Sequence, residues 1–540
     1  MRQTPGQLQL SATDLANHLA CPHLTQQNLK AARGQLEPPR YRDLNTDILR
    51  ARGFEHEAAY LAVLKARHGY EAARVADDAG ETSAIEQTRT LMRQGVPVIV
   101  QAALADGMWH GRADVLLRTD TPSALGAYAY EVVDTKLALA TRAETILQLC
   151  LYAELVEAIQ GELPARIGVV TPAHLHGDRP EPQWYRTLDY MAYFRYVRGR
   201  LVRSVAEVPD TYPEPVPRCE LCRWWPTCHR TWRSDDHLSF VAGAGRSQRR
   251  ELVDHGITTL TALARTPLPI PFTPSRGARA TYVGLREQAR VQLAGRTRDD
   301  TYWEMKPVES ERGLGRLPDP CPGDLYFDIE GDQFAGEGGL EYLLGVSYRD
   351  DDGRLSYRCF WSIPDSLESR ESVREARAGE RAAFEAFMDF LAERRARHPS
   401  LHVYHFDHYE PTALKRLMGR YAAREDDIDD LLRRHVFVDL HQVVREALIA
   451  SVERYSIKDL ERFYGFERSV GLHIAGEERA RLEHAIELGT LDSVEPGTLS
   501  AVRAYNRDDC DSLASLQQWL ESIRDRLEAD GRPVPRPHPE

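Results

Sequence analysis

Three groups of side chains in this sequence have types and spacings that could do chemistry. The first is Asp114, Asp134 and Lys136, with Gln148 and Tyr152 downstream. A carboxylate pair offers hard oxygen ligands for magnesium or manganese. An ammonium beside it can steady an attacking hydroxide or the charge growing on a phosphoryl oxygen. The second group is Asp328-Ile329-Glu330, followed by Glu410 and by Tyr505-x-x-x-Asp509. Carboxylates two apart on a strand share a face and could hold divalent ions against a phosphate. The third group is thiols: Cys219-x-x-Cys222, then Cys228, with Cys21 about 200 residues upstream. Cysteines packed this tightly favour a metal or a cluster over disulfides in a chain read as cytosolic. Zinc and an iron–sulfur cluster both suit four thiolates, and the residues alone do not choose.

The elements that must position these groups follow from the pattern. WHGRADVLLRT and YAYEVVDTKLALA read as two strands around a Thr-Asp-Thr-Pro-Ser loop, and TRAETILQLCLYAELV reads as a helix. Asp134 and Lys136 then share a strand face, and Gln148 and Tyr152 share a helix face. Residues 40–70 read as a helix carrying His56, residues 94–105 and 165–173 as strands, and residues 184–206 as a long helix before the cysteine triplet. Residues 10–30 read as a capped helix carrying Cys21.

The order Gly111-x-x-Asp114, Asp134-Thr135-Lys136, Gln148-x-x-x-Tyr152 resembles the RecB-type nuclease domain of the PD-(D/E)XK superfamily. That resemblance implies a mixed sheet flanked by helices. It implies His56, Asp114 and Asp134 as metal ligands with the Thr135 carbonyl, Lys136 as the catalytic ammonium, and Gln148 and Tyr152 as groups that support the site and contact DNA. One cysteine before this core and Cys-x-x-Cys-x5-Cys after it resembles the iron–sulfur clasp of AddB-type and CRISPR-associated RecB-like nucleases. By that resemblance Cys21, Cys219, Cys222 and Cys228 would hold a structural 4Fe-4S cluster, with zinc as the alternative.

Residues 321–540 carry the second group. CPGDLYFDIEGD reads as an apolar strand, LEYLLGVSYRD and DGRLSYRCFW as the next two, and AVRAYNRDDCDSLASLQQWL as a helix placing Tyr505 and Asp509 on one face. The series resembles the DnaQ-like, RNase H-fold 3′–5′ exonucleases of the YprB-like branch. It implies Asp328, Glu330, Glu410 and Asp509 around two divalent ions and Tyr505 orienting the attacking water. His405 stands where asparagine is usual and Glu410 where aspartate is usual, with Asp407 as a further acidic residue at the turn. Between the two halves, DHLSFVAGAGRSQRRELVDHGITTLTALAR resembles a helix-hairpin-helix turning at Gly243 and Gly245, with Arg246, Arg249 and Arg250 nearby.

The expected architecture is therefore α/β and multidomain. A RecB-like PD-(D/E)XK nuclease with its four cysteines spans 1–235, a helix-hairpin-helix-like unit and linker 236–318, an RNase H-like exonuclease domain 319–530, and a flexible tail 531–540. A length of 540 residues suits two or three cores. A net charge of −13 excludes a uniformly basic surface yet permits a local basic channel. No apolar run of spanning length and no signal-peptide pattern occurs, which implies no membrane association and a cytoplasmic location. The implied function is a metal-dependent DNA nuclease acting on single strands or ends, with RNA as a further possible substrate. Its implied partners are nucleic acid and a separate helicase, since no Gly-x-x-x-x-Gly-Lys-Ser/Thr loop occurs in the chain. A nucleic-acid-binding scaffold with one or both sites inactive is the alternative.

Overall fold

The computed structural model describes residues 1–4, 6–39, 44–69, 72–76, 80–138, 141–171, 181–333, 335, 338–363, 372–488, 490–491 and 494–537. The ends of the helix expected over 40–70, the last two residues of the strand expected over 165–173 and the last three of the tail lie outside them. The chain divides into two compact units, Met1–Arg233 and Ser234–Glu540.

In the first unit a hairpin, β1 (Arg2–Thr4) and β2 (Gln7–Gln9), precedes α1 (Ala12–Ala20), α2 (Pro22–Ala32) and α3 (Leu44–His68). A six-stranded sheet follows: β3 (Ala72–Arg74), β4 (Val98–Asp106), β5 (Trp109–Thr119), β6 (Ala129–Thr135), β7 (Arg166–Val170) and β8 (Gln183–Arg186), in that spatial order. The central β4, β5 and β6 are antiparallel neighbours, and β6 and β7 run parallel through the crossover helix α5 (Ala143–Gln160). α4 (Glu81–Arg93) joins β3 to β4. α6 (Leu188–Glu207) and α7 (Trp225–Ser234) follow the sheet. The largest core lies where α1, α5 and α6 cover one sheet face with Leu15, Leu149, Leu151, Phe194 and Leu201. Tyr60 and Leu64 of α3 pack on Val98, Val115 and Val133 from a second cluster.

Two local expectations are corrected. Cys21 is not on a helix: Pro22 lacks the N–H needed to continue α1 and opens α2 instead, which leaves Cys21 extended between them. The helix expected over 184–206 begins only at Leu188, because Gln183–Arg186 is the edge strand β8, paired antiparallel to β7.

The second unit opens with α8 (Arg246–Asp254), α9 (Leu260–Arg265), α10 (Arg279–Arg298) and β9 (Trp303–Met305). The helix expected before Gly243 is only a 3-10 turn, Leu238–Phe240. Arg249 donates back to the Ala244 carbonyl at 2.8 Å, bracing the turn. Next come β10 (Leu325–Asp332), β11 (Leu340–Arg349), β12 (Leu355–Trp361), α11 (Ser372–Arg397), β13 (Val403–His405), α12 (Tyr409–Tyr421), α13 (Glu425–Arg433) and β14 (Phe437–Asp439). α14 (Leu440–Ala447), β15 (Leu448–Ala450), α15 (Ile457–Tyr464), α16 (Leu472–Leu488) and the long α17 (Pro496–Ala529) complete it. The sheet order is β12-β11-β10-β13-β14, antiparallel across β12, β11 and β10 and parallel across β10, β13 and β14. Central β10 is buried on both faces: Leu325, Phe327 and Ile329 pack under α11, and the face that carries Asp328 and Glu330 lies under α17.

The helical segment 236–318 is built into this unit. β9 pairs with β15, and Gln288 on α10 donates to the Ala450 carbonyl at 2.9 Å. The residues expected to form a free tail are tied down in their described part: Arg536 forms a two-point ion pair with Glu521, and the Val534 carbonyl accepts from Arg524.

Candidate active sites

In the second unit, Asp328 and Glu330 stand two apart on the central strand, as their spacing requires. α17 crosses that strand and delivers Asp509. One carboxylate oxygen each from Asp328, Glu330 and Asp509 lie within 4.8 Å of one another. Burial pushes Asp328 well above the usual carboxylate range, and Asp509, Glu330 and Glu410 add to it. Burial, with Asp509, pushes Glu330 up to about 8. Three such groups in one dry place repel one another unless a cation joins them.

Neighbouring cations already lean on the cluster. Asp509 accepts from Arg468 at 2.6 Å, and its carboxylate lies 3.0 Å from the Lys458 ammonium. Arg479 stands 3.6 Å from Glu330. The Tyr505 ring faces both the Lys458 ammonium, at 5.3 Å, and the Arg468 guanidinium, at 5.5 Å. Burial and Asp509 push the Tyr505 hydroxyl up to about 12, so it stays protonated and can donate.

Glu410 falls outside the group of three. It is buried at the start of α12, 3.5 Å from the His405 ring. Burial pushes its pKa up, with His405 opposing. Its carboxylate still contributes to the field on Asp328. Asp407 goes elsewhere, with Asp439 and His441. Asp439 is itself occupied as the cap of α14, accepting from the His441 and Gln442 amides.

Sequence reasoning missed Asn506, Lys458 and Arg468. Asn506 donates to Asp328 at 2.8 Å and accepts from the Tyr357 hydroxyl at 2.8 Å, which fixes its rotamer. Its room comes from Gly345, paired with Asp328 across β10 and β11; a side chain there would fall on the Asn506 amide. The segment YSIKDLERFYGF, which carries Lys458, was the available signal.

In the first unit the same kind of assembly occurs on β5, β6 and α5. The Lys136 ammonium lies 2.6 Å from Asp134. Asp114 accepts from the Thr135 amide at 2.8 Å and from its hydroxyl at 2.9 Å, locking β5 to the end of β6. Gln148 donates to Asp134 at 3.4 Å and to the Tyr152 hydroxyl at 3.2 Å. Tyr152 sits against Gly111, where any Cβ would meet its ring. Burial raises the Asp134 pKa well above its ordinary value, Asp114 adds to this, and Lys136 opposes it. Burial disfavours the Lys136 charge, but Asp134 and Asp114 outweigh it and hold its pKa up.

His56 is buried on α3 and shares the Val170 carbonyl with Lys136: the ring is 2.9 Å from that oxygen and the Lys136 amide donates to it at 2.9 Å. This places His56 beside the β6 terminus. Its ring nitrogens do not form a group within 4.8 Å with Asp114 and Asp134. Adjacent Glu57, which the sequence reading passed over, accepts from Gln101 at 2.6 Å. Gln101 takes a left-handed φ of 55° within β4, at the point where β4–β5 pairing skips Asp114.

The four sequence-paired cysteines line one small pocket with Trp224, Trp225 and Trp232. None is in a disulfide. Cys21 accepts from the Leu24 amide and Cys219 from the Val216 amide, both at 3.4 Å. Burial, and then Cys222, Cys219 and Cys21, push Cys228 up to about 12. The clasp has other ties: Trp224 and Arg223 both donate to Asn28, at 2.9 and 3.0 Å.

Residues 325–521 match the family model of the RNase H superfamily. The second unit thus contains an RNase H-like domain, and Asp328, Glu330, Glu410 and Asp509 all fall within the matched stretch. Among curated proteins, none matches the chain.

Proposed function

We propose that the RNase H-like domain hydrolyses phosphodiester bonds in nucleic acid, trimming from a 3′ end, with magnesium or manganese held by Asp328, Glu330 and Asp509. The observation that carries this reading is the convergence of three buried carboxylates whose mutual repulsion a divalent cation relieves. When bound, the metal supplies Lewis acidity toward a phosphoryl oxygen and acidifies water. The chain's own residues do the rest. Asn506 holds Asp328 in one rotamer. Tyr505 keeps its proton and orients the attacking water by donating to it. Lys458 and Arg468 hold Asp509 in place and keep positive charge near the incoming phosphate. Glu410, stationed by His405, biases Asp328 from outside the group of three.

The first unit, on this reading, is a PD-(D/E)XK nuclease of the RecB type. The succession of antiparallel β4, β5 and β6, crossover α5 and parallel β7 supports it. So does the meeting of Asp114, Asp134, Lys136, Gln148 and Tyr152. His56 would complete the ligand set, its ring turned from the Val170 carbonyl toward the metal. The four cysteines would hold a 4Fe-4S cluster. Zinc is the alternative for the same four thiolates.

One observation favours the scaffold reading. Asp509 already has two cations on its carboxylate, the Arg468 guanidinium and the Lys458 ammonium, an arrangement that needs no metal. End-labelled single-stranded DNA incubated with manganese separates the two. Cleavage that stops with chelator, and that Asp328→Ala and Asp134→Ala each reduce, supports the nuclease. Binding with no cleavage under any divalent metal establishes the scaffold. For the clasp, protein prepared without oxygen should be brown and lose its visible absorbance in Cys222→Ala; a colourless protein containing zinc overturns the iron assignment.

A further inference from the structure

Helix α6 buries Met191, Phe194, Val197, Leu201 and Val205 against its own unit. Its other face is unusual. Tyr193 is 50% exposed and Tyr196 61%, and their rings stand side by side with centroids 6.4 Å apart and planes 31° from parallel. The Arg200 guanidinium lies over the Tyr196 ring at 5.8 Å. Tyr193, Tyr196, Arg200 and Arg203 occupy positions i, i+3, i+7 and i+10, one continuous stripe along the helix. Gly199 beside the stripe has open space around it.

Asp189 and Glu207 mark the two ends of this face, four residues before Tyr193 and four after Arg203, and the guanidiniums lie between them. Arg198, on the flank, is paired with Glu154. Arg195, Arg200 and Arg203 are exposed and make no ion pair or side-chain hydrogen bond among the described residues. In a chain of net charge −13, three idle guanidiniums on one helix beside two open aromatic rings are a selective attraction for a polyanion with flat faces.

We propose that this face of α6 is a stacking platform for single-stranded nucleic acid, with bases on Tyr193 and Tyr196 and backbone phosphates on Arg200 and Arg203. Every base has a π-face, so the platform tolerates sequence. A duplex hides those faces, so it is excluded. α6 packs by its buried face on α5, the helix that carries Gln148 and Tyr152, which leaves the stripe open to solvent. The proposal rests on the nuclease reading only for the identity of the polyanion.

The test measures binding and cleavage separately on the full chain. Fluorescence anisotropy with labelled oligo-dT, oligo-U and a DNA duplex, all in chelator, reads binding without turnover. Tyr193→Ala and Tyr196→Ala should each weaken single-strand binding about tenfold, while Tyr→Phe at either position binds as wild type. Arg200→Gln and Arg203→Gln should each flatten the dependence of log affinity on log salt by about 0.7. If oligo-dT alone responds, the strand is DNA; if oligo-U alone, RNA; either supports the platform. A tyrosine double variant that binds single strands as wild type does, or that loses duplex binding equally, overturns it, as does wild-type protein that binds no strand. Stripe-dependent binding with no manganese-dependent cleavage overturns the nuclease reading and leaves the platform standing. Cleavage with unchanged binding by the double variant does the reverse.

Discussion

Asp328 is held by one amide, and that amide by one glycine. Asn506 reaches Asp328 only because Gly345 leaves a gap on the facing strand. Gly345→Ala should therefore push Asn506 away, cost about 1–3 kcal/mol in a urea melt and reduce cleavage by the RNase H-like domain at least tenfold. Gly419, on the exposed side of α12 with nothing near its Cα, is the control. Gly419→Ala should raise stability by about 0.5–1 kcal/mol and leave cleavage unchanged. Equal behaviour of the two variants would mean that Gly345 is only a packing residue. The same contrast explains what could be read in advance. Asp328 and Glu330 were legible because a strand's period of two puts both on one face whatever the rest of the fold does. Asn506, Lys458 and Arg468 were not, because each matters only through a partner far along the chain: Asp328 for the first, Asp509 for the other two. Glu410 was legible as acidic and near the turn, but its engagement by His405 depends on how β13 hands over to α12.

Elements show where pattern sufficed and where a single residue overrode it. β4, β5, β6 and α5 follow from apolar alternation, from the Thr-Asp-Thr-Pro-Ser loop and from the Gly161 stop at the end of α5. Helix periodicity from 184 onward was misleading because an aromatic pair, Trp184 and Tyr185, suits a strand edge as well as a helix, and pairing with β7 decides. Likewise β9 and β15 are three residues each, too short to announce themselves, yet they join the helical segment to the RNase H-like core. Beside this junction Glu304 of β9 forms a two-point ion pair with Arg290 of α10. The Arg290 hydrogen bonds hold the Glu304 pKa down at about 2 from an ordinary 4.5. A depressed carboxylate contributes stability that is full above its unfolded value and is lost as pH falls through the folded one. Both side chains are about one-third exposed, so the contribution is no more than about 1 kcal/mol at pH 7. Wild type should exceed Glu304→Gln by that amount in denaturant melts at pH 7, and the gap should close between pH 4.5 and 2. A gap that stays constant with pH would show that the pair's charge plays no part.

At the scale of the molecule, the Asp114–Asp134 pair lies in the first compact unit and the Asp328, Glu330 and Asp509 group in the second, and the described partners that brace each lie within its own unit. Asp114 is braced by Thr135 and Asp134 by Lys136 and Gln148, all before residue 233; Asp328 is braced by Asn506 and Asp509 by Arg468 and Lys458, all after it. Groups that share no partners respond to substitution independently. Fragment 234–540 should therefore fold alone, with a single cooperative melt, because α10, β9 and the 531–537 segment all pack within it. In the intact chain, Asp134→Ala should abolish one manganese-dependent cleavage and Asp328→Ala the other, with the residual rates of the two single variants summing to that of wild type. End-labelling at 5′ and at 3′ distinguishes the products, since the Asp328-dependent activity is the one expected to shorten the 3′ end. If either single substitution removes all cleavage, the two clusters act on one substrate in an obligatory sequence, and the independence read from their separate supports is wrong.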